Sequence, residues 1–180
     1  LASPHSHYVV DEVDAVIADA LAKGIPGIDW QKVWSLLEFN AGRRTDDYRN
    51  LGYVSYDGSI VGYDGRMKSG SSTLAFAYGD WCAAQVGLAH GHPAEAAALL
   101  ARSANWRKVW DASATGDGFS GFVRARYRDG HFRDTAATAG DGTDFYQGTC
   151  WNYSFNVPHD RDAMMELMGG RARFVERLDH

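Results

Sequence analysis

Cysteine is scarce in this chain, two in 180 residues, and Cys82 and Cys150 form no Cys-x-x-Cys pair. That spacing argues against a zinc site. The two thiols could form one disulfide in an exported protein or stay apart; both fall inside apolar helical patterns, which favours buried thiols. Positive charge is not in surplus either. The formal net charge is -5, whereas a nucleic-acid-binding surface wants a basic face. No apolar run approaches the roughly 20 residues of a membrane-spanning helix. No signal peptide is visible, and the start at Leu1 without Met reads as a fragment or processed form. There is no repeat of fixed period, which removes the solenoid architectures. What is present is a hydrophobic fraction of 45%, enough for one sizeable core or part of a larger one.

The apolar residues are spaced mainly for helices. Val9, Val13, Val16, Ile17, Ala20 and Leu21 recur at helical intervals, with Gly24 as the C-terminal stop. Asp29 caps a second helix carrying Val33, Trp34, Leu36 and Leu37. Residues 42–70 are aromatic and glycine-punctuated and read as a long structured loop, a kind of segment that is often functional. Ser71 or Ser72 caps a third helix running to about Ala89. Pro93 opens a fourth that ends near Trp110. Phe119 to Phe132 alternates and contains Asp129-Gly130, a hairpin signal. A fifth helix runs from about Gly148 to Val157, before Pro158. Asp160 caps a sixth, Gly169-Gly170 ends it, and a short seventh closes the chain. The fold expected is mainly α: paired helices with decorated loops, as in an α/α toroid, plus a small β-hairpin.

Several motifs occur in an order that matters. Tyr146-Gln147-Gly148-Thr149-Cys150-Trp151-Asn152-Tyr153-Ser154 is followed by Val157-Pro158-His159-Asp160 and then by Met168-Gly169-Gly170. Upstream lie Lys23-Gly24-Ile25, Gly52-Tyr53-Val54, Ser71-Ser72-Thr73-Leu74, Ala77-Tyr78, Asp80-Trp81-Cys82, Arg102-Ser103-Ala104-Asn105-Trp106 and Val123-Arg124-Ala125-Arg126. Together they resemble the calcium-dependent, inverting exo-α-mannosidases of glycoside hydrolase family 92, over roughly the whole chain. In that family a Glu-Gly-Asn-Ala-Trp-Gln-Tyr-Ser run supplies the catalytic general acid at its Glu, where this chain has Gln147. Other departures are Ser55 for a Pro, Ala75 for a Glu and Gly79 for an Asp. The resemblance implies an (α/α)6 toroid with a central sugar pocket, of which this chain would be an incomplete segment, about half the barrel. It also implies Ca²⁺ bound by oxygen ligands. The Gly-Asn-Asp-Asp segment that carries the family's general base does not occur here. No base and no metal ligand are therefore assigned within this segment.

The Gln at position 147 directs the chemistry. An amide has no carboxyl proton to donate, and a positioned general acid supplies about 10²–10⁴-fold. A sugar alkoxide needs that proton to leave. A phosphate monoester, with a second pKa of about 6, departs as a stable anion. The substrate expected is a terminal α-mannose linked through phosphate, as in mannose-1-phospho-6-mannose, hydrolysed with inversion to mannose and a mannose-6-phosphate end. The expected partners are a phosphorylated mannose glycan and the remainder of the same catalytic domain, not nucleic acid or membrane. The expected location is secreted or cell-surface, in a bacterium.

The remaining candidates are substrate-binding: Tyr146 as a hydroxyl donor, Trp81 and Trp151 as sugar-stacking indoles, Asp80 beside Trp81, and His159 as a hydroxyl ligand. Lys68 and Ser71 join them because Arg66-Met67-Lys68-Ser69-Gly70-Ser71-Ser72 is a basic loop entering a helix N-terminus, which favours an anion. Most have a plainer alternative: an ordinary half-buried tyrosine for Tyr146, core packing for the indoles, an orienting role for His159, a capped helix behind a solvated loop for Lys68 and Ser71. Three other functions stay open on sequence: a conventional exo-α-1,2-mannosidase carrying a Glu-to-Gln trapping mutation, a catalytically inactive mannose-binding module, and a helical scaffold without ligand.

Overall fold

A computed structural model describes residues 12–57, 68–138 and 144–180. Its element order is α1 (Glu12–Ala22), α2 (Trp30–Gly42), α3 (Asp46–Leu51), α4 (Ser69–Ala89), α5 (Pro93–Ser103), a 3₁₀ turn (Ala104–Val109), β1 (Trp110–Gly116), β2 (Phe119–Val123), α6 (Cys150–Tyr153), α7 (Arg161–Leu167) and α8 (Arg171–Asp179). Helix dominates, as expected. Among the described residues no helix is long and apolar enough to cross a membrane.

The helix boundaries follow local chemistry. Asp29 accepts a hydrogen bond from the Lys32 backbone N–H and so satisfies an orphan donor of α2. Beyond α1, Gly24 takes a left-handed φ of 61°. Its N–H and that of Ile25 close back on Leu21 and Ala20, the paired bonds of a Schellman stop. Gly169 ends α7 in the same way, with its own N–H on Glu166 and that of Gly170 on Met165.

The 21-residue α4 is the axis of the molecule. It is apolar or small nearly all round, with Leu74, Phe76, Ala77, Cys82, Ala83, Ala84 and Val86 all buried, and α1, α2, α5 and the 3₁₀ turn pack on it. One stripe is less covered: Ser71, Ala75, Tyr78, Trp81 and Gln85 are half-buried at helical spacing. Cys82 and Cys150 are both buried, with no disulfide between them, and burial pushes the Cys82 thiol up to about 11.

The β-ribbon lies earlier than expected. Trp110 and Val123 pair at one end, Gly116 and Phe119 at the other, with an irregularity between Asp111 and Thr115. The tight turn is Asp117-Gly118, with φ of 48° and 81°, the two positive values that a two-residue hairpin turn requires. Asp129-Gly130 forms a smaller turn closed by a single bridge between Arg126 and Phe132. Two Asp-Gly signals are present, and assigning Trp110 to a helix end hides the first. The helix before it stops at Ser103 and continues only as a 3₁₀ turn.

Two more boundaries differ. The helix expected over 148–157 is a single turn, Cys150–Tyr153. Ser154 ends it by donating its hydroxyl to the Cys150 carbonyl while accepting the Val123 N–H. Within the expected 42–70 loop, Thr45 caps the short α3; residues 58–67 of that loop lie outside the described residues.

The larger core joins the ribbon to the C-terminal helices through Trp106, Phe122, Phe145, Val157, Met164 and their neighbours. Arg177 of α8 is buried within it. Its guanidinium lies 3.8 Å from the Phe122 ring centre and 5.2 Å from that of Trp151, and Nη1 donates to the Gly121 carbonyl. Burial, and then nearby Arg173, pull its pKa down to about 10, and the aromatic faces supply the compensating attraction.

Candidate active site

Gln147 sits at the tip of a turn that leads into α6, and its backbone is unusual. Its φ is 51°, a left-handed conformation that a non-glycine residue seldom adopts. The residue is exposed while those before it are anchored. Phe145 is buried against Gly70 of α4, where an added Cβ would overlap its ring. The Gly70 N–H donates to the Asp144 carbonyl at 3.0 Å. The Asp144 carboxylate accepts from Arg133 at 2.5 Å and from Thr135 at 3.1 Å.

The residues flanking Gln147 are held as well. The Tyr146 N–H donates to Ser71 Oγ at 3.3 Å, and the Ser71 hydroxyl donates to the Lys68 carbonyl at 3.2 Å. The Tyr146 carbonyl accepts the Tyr153 hydroxyl at 2.6 Å. On the other side Thr149 and Asn152 form a reciprocal capping box that starts α6. Ser71, Tyr146 and the Gln147 turn are thus brought together at the N-terminal end of α4. Lys68 occupies the N-cap position of that helix and is half-buried; Arg66 lies outside the described residues. Ser71 is not the cap expected, because α4 begins at Ser69.

Trp81 and His159 meet further along α4. Tyr78 stacks on Trp81 with ring centres 6.2 Å apart and on His159 at 5.8 Å. His159 Nε2–H donates to the Ser103 carbonyl at 3.1 Å. Nδ1 is buried without a partner among the described residues. Burial lowers the His159 pKa against the raising pull of the Ser103 carbonyl, so the ring is neutral near pH 7. Ser71 and Trp81 are separated by about 15 Å along the helix axis, at 1.5 Å per residue. The turn and the aromatic group therefore lie at different places on one half-covered stripe.

Asp80 and Trp151 have other surroundings. Asp80 is fully buried. Its oxygens accept from Arg102 Nε and Nη2 at 2.5 and 2.7 Å, from the Tyr48 hydroxyl at 3.1 Å and from Arg44 Nε at 3.4 Å. Arg44 also donates to buried Asp14 at 3.0 Å. Burial raises the Asp14 pKa despite the opposing charge of Arg44. Burial, and then Asp80, push the Tyr48 hydroxyl far above the usual phenol range, so it stays a donor. Trp151 is half-buried among Phe119, Phe122 and His180, with Arg177 against its ring. Sequence reasoning also passed over Tyr153 and Phe145, which shape the turn. Tyr153 was visible inside the motif, but nothing in the spacing says that its hydroxyl reaches back to Tyr146.

Calcium needs a set of converging oxygen ligands. Among the described residues no group of three or more His, Cys, Asp or Glu side chains could hold a metal ion.

An uncharacterized secreted glycosidase of Arthroderma benhamiae is 28% identical over 197 residues, covering 93% of this chain and 25% of that protein. A family 92 inverting mannosidase of Bacteroides thetaiotaomicron superposes with a TM-score of 0.79 at 25% identity, covering 95% of this chain and 23% of that one. A family 92 α-mannosidase of the same organism, solved with mannoimidazole, gives a TM-score of 0.75 at 25% identity, covering 93% of this chain and 22% of the other. The chain spans about a quarter of the length of these relatives, and its helices with one small ribbon form part of an α/α toroid. Residues 4–180 match the glycosyl hydrolase family 92 catalytic domain, and this chain belongs to that family.

Proposed function

We propose that the complete protein is an inverting, exported glycosidase that removes a terminal α-mannose linked through its anomeric oxygen to phosphate, leaving a mannose-6-phosphate end when the substrate is mannose-1-phospho-6-mannose. The observation that carries the reading is an exposed amide, Gln147, at the position where the family motif has its general acid. It is held on a left-handed backbone, a conformation that costs of order 1–3 kcal/mol and clusters at functional sites. In the step proposed, water attacks the anomeric carbon, the bond from that carbon to the phosphate oxygen breaks, and the phosphate leaves with the electron pair. The proton lost by water goes to a base outside this segment. The leaving phosphate needs no proton, because it is a stable anion near neutral pH. Gln147 donates its amide N–H to a phosphate oxygen without adding negative charge. Ser71 and Tyr146 flank it, and Lys68 at the start of α4 supplies positive charge.

In this reading Trp81 and His159, with Tyr78, face a part of the glycan away from the broken bond, because about 15 Å of helix separates them from Ser71. Asp80 and Trp151 are given structural work, the first inside its ion network and the second beside Arg177. Calcium would be held by residues outside this segment and would orient mannose hydroxyls when bound.

The test is Gln147→Glu in the full-length enzyme, assayed on mannose-1-phospho-6-mannose and on an α-1,2-linked mannobiose. The exchange restores an acid, so the mannobiose rate should rise. The phosphodiester rate should fall, because two like charges about 4 Å apart cost on the order of 4 kcal/mol at an effective dielectric of about 20. Solvent and partial protonation reduce that to one or two powers of ten, roughly 1.4–2.8 kcal/mol. If both rates change by the same factor in the same direction, residue 147 does not select the leaving group. If the unmodified protein binds mannose and turns over neither compound, it is a binding module.

A further inference from the structure

We propose that Tyr153 is the positioning residue that sets the direction of the residue 147 side chain, acting on the backbone from beneath the turn; the proposal rests on Gln147 being the residue at the cleaved bond. Where a side chain at position 147 points depends on φ and on the two peptide planes that flank it. Tyr153 touches both. Its hydroxyl donates to the Tyr146 carbonyl at 2.6 Å, which fixes the plane before Gln147. Its ring lies under Gly148, where an added Cβ would come 2.7 Å from Cε2, and this limits the plane after it. The ring is itself braced by Phe145, with centres 4.9 Å apart and planes 25° from parallel. The Tyr146 N–H is taken by Ser71, so both backbone polar groups of Tyr146 are fixed.

A left-handed residue persists only where its surroundings over-determine it. Losing the hydroxyl leaves the Tyr146 carbonyl without this donor and frees the preceding plane to rotate. Residue 147 then relaxes toward the common negative-φ region, and its amide swings away from the leaving group. The donor is dependable across the working pH range: burial raises the Tyr153 pKa, with only partial opposition from the Ser71 hydroxyl beside it.

The experiment is a double-mutant cycle in the full-length enzyme, using methyl α-mannosyl phosphate as substrate and mannose as a competitive probe of the sugar site. Tyr153→Phe keeps the ring and removes only the hydroxyl. It should lower kcat about 10-fold, which is about 1.4 kcal/mol, with mannose inhibition and melting temperature little changed. In a Gln147→Ala background the same exchange should lower kcat no further, since a residue that acts through another is non-additive with it. Gly148→Ala, which pushes the ring from above, should give the same pattern and serves if Tyr153→Phe folds poorly. A Tyr153→Phe loss that persists in full without the Gln147 side chain overturns the proposal and makes Tyr153 a general structural residue. No loss from Tyr153→Phe, while Gln147→Ala is strongly impaired, overturns it and leaves the reading of Gln147 intact. If Gln147→Ala is itself without effect, that reading fails and this inference with it.

Discussion

Gln147 carries two separable properties, a side chain and a backbone conformation. Thermodynamics can test the second without any substrate. At a left-handed φ, glycine avoids the Cβ clash that every other residue meets, and alanine keeps the clash without any compensating contact. Gln147→Gly should therefore be more stable than Gln147→Ala by about 1 kcal/mol, measured as a difference in denaturation midpoint at equal slope. Equal midpoints would mean that the turn is not strained. The motif named this residue, and the structure adds that Ser71 holds the backbone N–H of its neighbour Tyr146. The strain and the reach of Tyr153 were not legible, because φ and a bond made back across the turn leave no trace in spacing. His159 was legible as a residue of interest, but its neutral state follows from burial, which outweighs the raising pull of the Ser103 carbonyl, and no local pattern announces that burial.

At the scale of elements, α4 is fastened to its neighbours by charge as well as by packing. Asp80 ties it to Arg44 beyond the end of α2 and to Arg102 of α5, and Arg44 continues to Asp14 of α1. All four belong to one buried chain of ion pairs. Replacing Asp80 by Asn leaves two largely buried guanidinium groups short of an anion. Breaking a buried pair in this way costs about 3–5 kcal/mol, so Asp80→Asn should lower the melting temperature strongly and loosen all four helices. A midpoint within experimental error of the wild type would show that the network is not structural. Helix ends were the readable part of these elements, because Asp29, Gly24 and Gly169 act on their own neighbours. The ion pairs were not readable. Their members are 22 to 36 residues apart, and an Asp beside a Trp on an apolar helix looks as much like a sugar ligand as like a buried anion. The ribbon was misplaced for a similar reason, since two Asp-Gly turns competed and only tertiary pairing with Trp110 decides between them.

The molecule as a whole leaves apolar side chains outside. Val13 and Val16 of α1 and Leu167, Val175 and Leu178 near the C-terminal end are exposed, Val16 by 67% and Leu178 by 54%. In relatives about four times as long, such faces have further chain available to cover them. If further chain covers these faces, residues 1–180 expressed alone should bind an environment-sensitive hydrophobic dye more strongly than the longer protein at equal concentration, since apolar patches without cover mark interaction surfaces. Equal dye binding would show that these side chains face solvent in both. The half-covered stripe of α4 is a different kind of surface: Ser71 at one end touches Tyr146 of the turn, and Trp81 further along stacks with Tyr78. Among the described residues no hydrogen bond engages the Gln147 side chain, and the bonds that hold the turn use the backbone and its neighbours. The frame is therefore indifferent to whether an amide or an acid stands on it. Glutamine and glutamate codons differ by a single nucleotide, so one mutational step could exchange the amide for an acid without refolding the turn that presents it.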